Sequence, residues 1–341
     1  MSSDITIIIP TKNRSNFLKK CIEYYLLNNF KGTLLILDSS NIKENKKNKE
    51  IILKNKNKIK INIFYKDDFP TQIIKNFIDE VKTKYCIMAS DDDFYVVKTI
   101  NYFVDYLNSH PEYNIISGKA LRLDIVNKDR ILVNKYFISD NLDNDDPLER
   151  VSHYINRYGP INTSVISKEY LKNIFEITPP KDELDNICPI RSIYDEMLVG
   201  ALMVLSSKIA HMENLLLIRT IHGNNSNISK DLDKKKLEIS INFFTRTIKK
   251  YAINYLDLSD SNKGYDVLKK DMYNYFKRTP KKSLIKNNLY SILHYTKYSL
   301  YKFFILRFLI NKIRNNYNLI DNYINNQRKF YNELEIVRNF L

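Results

Sequence analysis

Three observations predict an α/β protein with a mostly parallel sheet flanked by helices, followed by a helical C-terminal region. Short apolar runs alternate with amphipathic segments over about the first 120 residues, a pattern typical of such sheets. Acidic side chains directly follow two of the apolar runs. Glycine nearly vanishes after residue 230, where aliphatic and aromatic residues mix with lysine and asparagine. With 341 residues, 44% of them hydrophobic, the chain can bury a sizeable core.

The first strand–helix–strand unit is predicted within residues 5–38. Residues 5–9 form a continuous β-branched run that ends at Pro10, as a buried parallel strand does. Apolar residues then recur at helical spacing over 17–26. A second apolar strand follows at 33–37, which completes a βαβ unit.

The alternation continues beyond this unit. We predict helices within 42–60 and at 72–83, 98–108 and 195–206, and strands at 61–65, 85–89, 115–118 and 214–219. In open sheets of this kind, ligands bind at the carboxyl ends of the strands. Asp38 and the run Asp91–Asp93 both follow strands at that edge.

Charge is distributed unevenly along the chain. The formal net charge of +15 first suggests nucleic acid or an anionic membrane surface as a partner. Residues 1–230 hold 32 basic and 29 acidic residues, whereas residues 231–341 hold 22 and 10. We therefore predict one domain at 1–230 and a basic, aromatic-rich helical domain at 231–341.

The helical domain has two interpretations. Residues 299–312 are apolar but interrupted by cations, and they are too short to span a bilayer. This pattern suits peripheral contact with an anionic membrane surface. The alternative is a helical unit that packs on the first domain, or on a second copy, and leaves a basic face in solvent.

Cysteine usage and the N-terminus bear on location. Cys21, Cys86 and Cys188 form no C-x-x-C pair and lie in or beside apolar stretches, so we expect buried free thiols and a reducing compartment. The N-terminal residues lack the pattern of a signal peptide, and there is no run of 18 apolar residues. The sequence thus predicts a cytoplasmic protein, and the membrane interpretation of the C-terminal region would place it on the inner face of the membrane.

The strongest local signal is the run Ser90-Asp91-Asp92-Asp93-Phe94, which follows an apolar strand. Adjacent carboxylates repel one another unless a cation neutralises them. Oxygen ligands at this density suit Mg²⁺ or Mn²⁺ held together with substrate phosphates. The alternative is a solvated acidic turn or helix N-cap.

The N-terminal third resembles the nucleotide-sugar glycosyltransferases of the GT-A fold, in the broad family 2 group. Four segments carry the resemblance: 6–14, which contains Pro-Thr-Lys-Asn-Arg; 35–40, which ends in Asp-Ser-Ser; Lys75-Asn76; and 85–93, which ends in the acidic run. The family's second strand usually ends in Asp-Asp-Gly-Ser, so this chain lacks that glycine. The resemblance implies a Rossmann-like sheet, a nucleotide-sugar donor and a D-x-D motif that holds Mn²⁺ or Mg²⁺.

The resemblance also implies site residues. Asp93 would hold the metal, with either Asp91 or Asp92 as the second acid of the motif, and His222 would be a third ligand, a phosphate contact or a plain loop residue. The implied donor-binding residues are Pro10, Thr11, Asn13, Arg14, Asp38, Lys75, Asn76, Asp91 and Asp92.

Relatives place a general base at the start of a helix in the second half of the domain. Here the pair Asp195-Glu196 precedes the apolar helix that begins near Met197, so Asp195 is our first candidate and Glu196 the second. The alternative is that two acids at a helix N-terminus only complement its dipole.

These residues predict a metal-dependent, inverting glycosyltransferase of the hexosyltransferase type. It would move a sugar from a nucleotide-diphosphate donor to a glycan or lipid-linked acceptor in surface polysaccharide synthesis. A nucleotidyltransferase is the first alternative, although residues 11–14 lack the glycines of a triphosphate loop. A basic nucleic-acid-binding protein is the second, and the acidic triplet opposes it because it would repel phosphates.

Overall fold

The computed structural model describes residues 4–127, 130–136, 142–156, 161–178, 188–190, 193–221, 233–256, 262–278 and 337. Nine strands within these residues form one sheet flanked by helices, which confirms the predicted fold class. The strands are β1 Ile5–Thr11, β2 Thr33–Asp38, β3 Lys60–Tyr65, β4 Tyr85–Met88, β5 Phe94–Tyr95, β6 Ile115–Asn127, β7 Arg130–Tyr136, β8 Val165–Ser167 and β9 Ala210–Ile221.

The helices of the described residues connect and cover these strands. They are α1 Ser15–Leu27, α2 Ile42–Asn55, α3 Pro70–Phe77, α4 Val97–Ser109, α5 Pro147–Asn156, α6 Lys168–Ile177, α7 Val199–Ser206, α8 Lys234–Leu256 and α9 Asn262–Arg278. A π-helical turn, Ile193–Leu198, leads directly into α7. Among the described residues, no helix has the length and apolar character needed to cross a bilayer.

The sheet is parallel in its first half and mixed in its second. Its order is β3-β2-β1-β4-β8-β6-β9-β5, with β7 paired to β6. The neighbours from β3 to β4 are parallel, as is β6 with β9, whereas β8 is antiparallel to β4 and β6, β5 to β9, and β7 to β6. The prediction of a mostly parallel sheet therefore describes the N-terminal strands better than the whole sheet.

The core explains the sequence pattern. Every residue of β2 and β4 is buried, as expected for strands covered on both faces by helices. Cys21, Cys86 and Cys188 are buried and form no disulfide within the described residues, which confirms the prediction of buried thiols outside disulfides.

Helices α8 and α9 pack on the preceding part of the chain. Buried residues of α8, among them Ile241 and Phe244, belong to the same apolar cluster as the sheet. On α9, Leu268 and Met272 are fully buried, and Ser152 of α5 donates a hydrogen bond to Asp271 at 2.6 Å. These two helices therefore continue the core. The domain boundary at 230–231 stays a prediction, and residues 299–312 lie outside the described residues.

Candidate active site

Parallel pairing brings three chain segments to one edge of the sheet. Thr11, the last residue of β1, pairs with Asp38, the last residue of β2. On its other side β1 pairs with β4, where Ile8 is opposite Met88, and the acidic run begins three residues later. The carboxyl ends of β1, β2 and β4 therefore meet, as expected for a ligand site in an open sheet.

Two acids of the run are bound by residues at the end of β1. The Thr11 hydroxyl donates to Asp91 Oδ2 at 2.7 Å. The Arg14 guanidinium spans both acids, with Nη1 3.0 Å from Asp91 Oδ1 and Nη2 2.5 Å from Asp92 Oδ2. The two carboxylates are buried, whereas 36% of the Arg14 side chain is exposed. Arginine is the residue best suited to such a contact, because its planar fork presents several donors at once.

The loop before α1 fixes the position of Arg14. Asn13 adopts a left-handed backbone with φ of 58°, which asparagine tolerates better than most residues. Its amide donates to Ser40 Oγ at 2.8 Å, and its side-chain oxygen accepts the Asn41 amide at 2.9 Å. Arg14 also lies over the Phe17 ring, 4.3 Å from its centroid. The loop after β2 thus holds the loop after β1 in place.

The third acid connects the run to the other half of the sheet. Asp93 Oδ1 accepts the backbone N–H of Thr220 in β9 at 3.0 Å. The Thr220 hydroxyl donates to the carbonyl of Asp92 at 2.5 Å. Thr220 was not singled out by sequence reasoning, because only the long-range pairing of β9 beside β5 brings it here.

Burial alters the protonation of this cluster. Loss of solvent raises the pKa of Asp91 to about 6, although Arg14 and Thr11 oppose the shift. Burial and the neighbouring Asp92 raise the pKa of Asp93 to about 7. Burial alone would lower the pKa of Arg14, but the Asp91 and Asp92 carboxylates raise it. The site therefore favours a nearby positive charge.

Asp38 is fully buried, and its carboxylate is bound within its own segment. Oδ1 accepts the Ser40 amide at 2.8 Å, and Oδ2 accepts the side-chain amides of Asn45 and Asn48 at 2.8 and 2.9 Å. These contacts anchor α2 to the end of β2. The role of Asp38 in binding the donor stays a prediction.

Lys75 and Asn76 bind elsewhere in the structure. The Lys75 ammonium donates to the Thr178 carbonyl at 2.9 Å, directly after α6, and burial lowers its pKa. The Asn76 amide lies 3.4 Å from Asp68 Oδ2. Both side chains make these hydrogen bonds with residues other than the acids at 91–93, and their assignment to the donor stays a prediction.

The candidate base lies in the π-helical turn. Glu196 is half-buried, and its carbonyl accepts the Tyr154 hydroxyl at 3.4 Å. Tyr154 in turn packs against Gly200, where an added Cβ would lie 2.7 Å from the ring carbon Cζ. The backbone of Asp195 belongs to the same turn, but its side chain and the whole of His222 lie outside the described residues.

The residues at 91–93 fit a divalent cation held partly by donor phosphates. Among the described residues, no three acidic, histidine or cysteine side chains converge as a complete protein cage would require. Mg²⁺ commonly uses only one or two carboxylates and completes its shell with phosphates and water. Asp91 and Asp93 are buried carboxylates with raised pKa values, and their oxygens are suitable ligands for a cation. The salt bridge between Arg14 and Asp91 is one example of a cation bound at these acids.

One curated relative is similar to part of the chain. An uncharacterized glycosyltransferase of Rickettsia conorii is 28% identical over 145 residues, which are 40% of this chain and 24% of that protein. The chain thus matches about a quarter of the relative's length. No protein-family model matches the chain.

Solved structures share the fold. TarS residues 1–349 from S. aureus, in complex with UDP-GlcNAc, superpose with a TM-score of 0.58 and 14% identity, covering 82% of this chain and 74% of that one. The same fragment with UDP gives 0.56 and 14%, covering 81% and 72%. The fold is therefore that of GT-A nucleotide-sugar glycosyltransferases, and the comparisons confirm the predicted resemblance to this class.

Proposed function

We propose that this chain transfers a sugar from a nucleotide-diphosphate donor to a glycan or lipid-linked acceptor. The observation that carries the proposal is the Arg14–Asp91–Asp92 cluster at the carboxyl ends of β1 and β4. Open α/β sheets bind their ligands at such strand ends. The glycosyltransferase relative and the UDP-GlcNAc complex of TarS support the same class of substrate.

Sugar transfer requires positive charge beside the donor diphosphate, where the glycosidic bond is cleaved. The departing nucleoside diphosphate gains negative charge as the glycosidic bond is cleaved, so fixed cations at this point lower the barrier. Arg14 contacts the acidic run directly, and its forked guanidinium matches phosphate geometry. Thr11 and Asn13 hold the surrounding loops in a fixed shape before the donor arrives.

We propose that Mn²⁺ or Mg²⁺ is held by Asp93 together with Asp91 or Asp92. Bound there, the ion would act as a Lewis acid on the diphosphate oxygens. Thr220 orients the Asp93 carboxylate through its backbone N–H, which fixes the acid that would face the ion. His222 remains a candidate third ligand.

For the inverting mechanism, Asp195 is the proposed general base and Glu196 the second candidate. Such a base must accept the proton of the acceptor hydroxyl as it attacks the sugar. Both residues belong to the π-helical turn Ile193–Leu198, and π-helical turns within helices are frequent at functional sites. Tyr154 supports the turn from α5 through its bond to the Glu196 carbonyl.

Contact of residues 231–341 with the inner face of the membrane, near a lipid-linked acceptor, is a further part of the proposal. Flotation with anionic vesicles tests it. Full-length protein should float, and the chain without 279–341 should stay at the bottom of the gradient. Equal flotation of the two chains would contradict it. Truncation after 278 keeps helices α8 and α9, which continue the core.

The activity is tested by a screen of nucleotide sugars with Mn²⁺, in which release of nucleoside diphosphate is measured. We expect turnover of one donor class, lost on Asp93→Ala and retained by Asp145→Asn, an exposed acid paired with Lys208 on the surface. Thermal stabilisation by a nucleoside triphosphate alone would favour a nucleotidyltransferase. Stabilisation by oligonucleotides alone would favour a nucleic-acid-binding protein.

A further inference from the structure

Arg14 occupies the face of the acidic run that a divalent cation would use. Its two terminal nitrogens contact Asp91 Oδ1 and Asp92 Oδ2, one oxygen on each acid. Either acid is a candidate partner of Asp93 in the metal site. An ion that shares these oxygens would meet the guanidinium at close range, and like charges at such a distance repel strongly in a buried site.

The Arg14 side chain can leave while its backbone stays. Asn13 and Ser40 fix the loop through the hydrogen bond between them, and Arg14 directly precedes α1. The side chain itself is 36% exposed and rests on the Phe17 ring, so a path to solvent is open. The carboxylates, by contrast, are held by buried strand-end residues such as Thr11.

We infer that Arg14 and a divalent cation compete for Asp91 and Asp92, so that cation binding releases the guanidinium toward the donor diphosphate. The inference rests on the proposed function, because it states the order in which the guanidinium and the divalent cation occupy the proposed donor site. In the absence of metal, Arg14 offsets part of the negative charge of Asp91 and Asp92. With metal bound, the same side chain becomes a phosphate contact, and the site gains positive charge only when it is loaded.

The first test measures Mn²⁺ binding without nucleotide, by electron paramagnetic resonance of the free ion. Competition predicts that Arg14→Met binds Mn²⁺ more tightly than the unchanged chain, by about tenfold or more. Arg14→Lys should lie between the two, because a lysine keeps the charge but cannot span both acids.

Lys12→Met is the matched control. Lys12 lies on the same loop as Arg14, and its replacement by Met removes the same charge. Its ammonium, however, is paired with Asp67 on the surface, and more than half of each side chain is exposed. We expect its Mn²⁺ affinity to stay within about twofold of the unchanged chain, because exposed charges are screened by solvent and salt. Equal gains in Arg14→Met and Lys12→Met would reduce the effect to net charge and overturn the inference.

The second test uses the unchanged chain and therefore does not depend on the folding of a variant. Phenylglyoxal modifies exposed arginines, and peptide mass spectrometry reads the rate at each site. Mn²⁺ should speed the modification of Arg14 several-fold and leave the exposed Arg246 of α8 unchanged. An unchanged or slower rate at Arg14 would overturn the inference.

Failure of the inference and failure of the proposed function give different results. If no variant binds Mn²⁺ but UDP or GDP still binds, the competition is refuted and the donor site stands. If Mn²⁺ shows the predicted competition but no nucleoside diphosphate binds, the proposed function fails and the ion site stands.

Discussion

The two halves of the sheet contribute to the site in different ways. In the half formed by β1 to β4, the strands are parallel, and their consecutive carboxyl ends deliver Thr11, Asp38 and the acidic run to one edge. In the half formed by β5 to β9, most pairings are antiparallel, and the acidic run receives Thr220 of β9 from a distant part of the chain. The first half brings polar strand ends together in one cluster, and the second half adds the Thr220 contacts to that cluster.

The largest expected effect concerns the residue that joins the two halves. Replacement of Asp93 by Ala removes the acid bound by Thr220 and should reduce donor turnover by about 100- to 1,000-fold, as loss of a key electrostatic group does. Steady-state release of nucleoside diphosphate measures this. Turnover within threefold of the unchanged chain would show that the acidic run does not serve the reaction.

A second prediction asks whether Asp38 supports the fold. Asp38→Asn converts one acceptor oxygen into a donor and breaks a bond from Ser40, Asn45 or Asn48. The free energy of unfolding should fall by about 1.5–3 kcal/mol, measured by urea denaturation. Asp67→Asn, at an exposed surface pair, should change it by less than about 1 kcal/mol. A loss of UDP affinity with unchanged stability would instead assign Asp38 to the nucleotide.

A third prediction probes the packing beneath the π-helical turn in the second half. In Gly200→Ala the new methyl would overlap the Tyr154 ring, so we expect a loss of about 1–3 kcal/mol in the free energy of unfolding. Gly264→Ala is the control, because its methyl would meet only the flexible end of Leu148, and it should cost less. Equal losses in the two variants would contradict the close approach at Gly200.

The last prediction concerns the pH dependence of stability. Burial raises the pKa of Asp91 to about 6 and that of Asp93 to about 7, so the folded chain holds protons on these acids that the unfolded chain has released. Their contribution to stability should therefore decrease as pH rises from about 4 to 7. Urea denaturation across this range should give a shallower decrease for Asp93→Asn. A decrease equally steep in both proteins would contradict the raised pKa.

The same division explains what the sequence could predict. The helix and strand positions of the first half agree with the predictions, because periodicity and strand-end polar residues are local signals, as in the helix predicted within 42–60 and found at Ile42–Asn55. The strand predicted at 115–118 extends to Asn127 and forms a hairpin with β7, which local apolar runs did not indicate.

Side-chain partners were beyond local prediction. Arg14 and the acidic run were identified as candidates from the sequence. Their salt bridges form only because β1 pairs with β4 in parallel. This pairing brings together residues far apart along the chain, such as Thr11 and Asp91, which are separated by 80 positions. The hydrogen bonds of Asp38 to Asn45 and Asn48 likewise emerge only when α2 folds back on β2. Residue type indicated the chemistry, and long-range pairing decided the contacts.

The most direct test of the donor site is a crystal structure of the chain with UDP and Mn²⁺. We expect a diphosphate at the carboxyl ends of β1 and β4, with Mn²⁺ on Asp93 and the Arg14 guanidinium turned from the acids to a phosphate oxygen. A nucleotide bound at another edge of the sheet, with Arg14 still spanning Asp91 and Asp92, would contradict it.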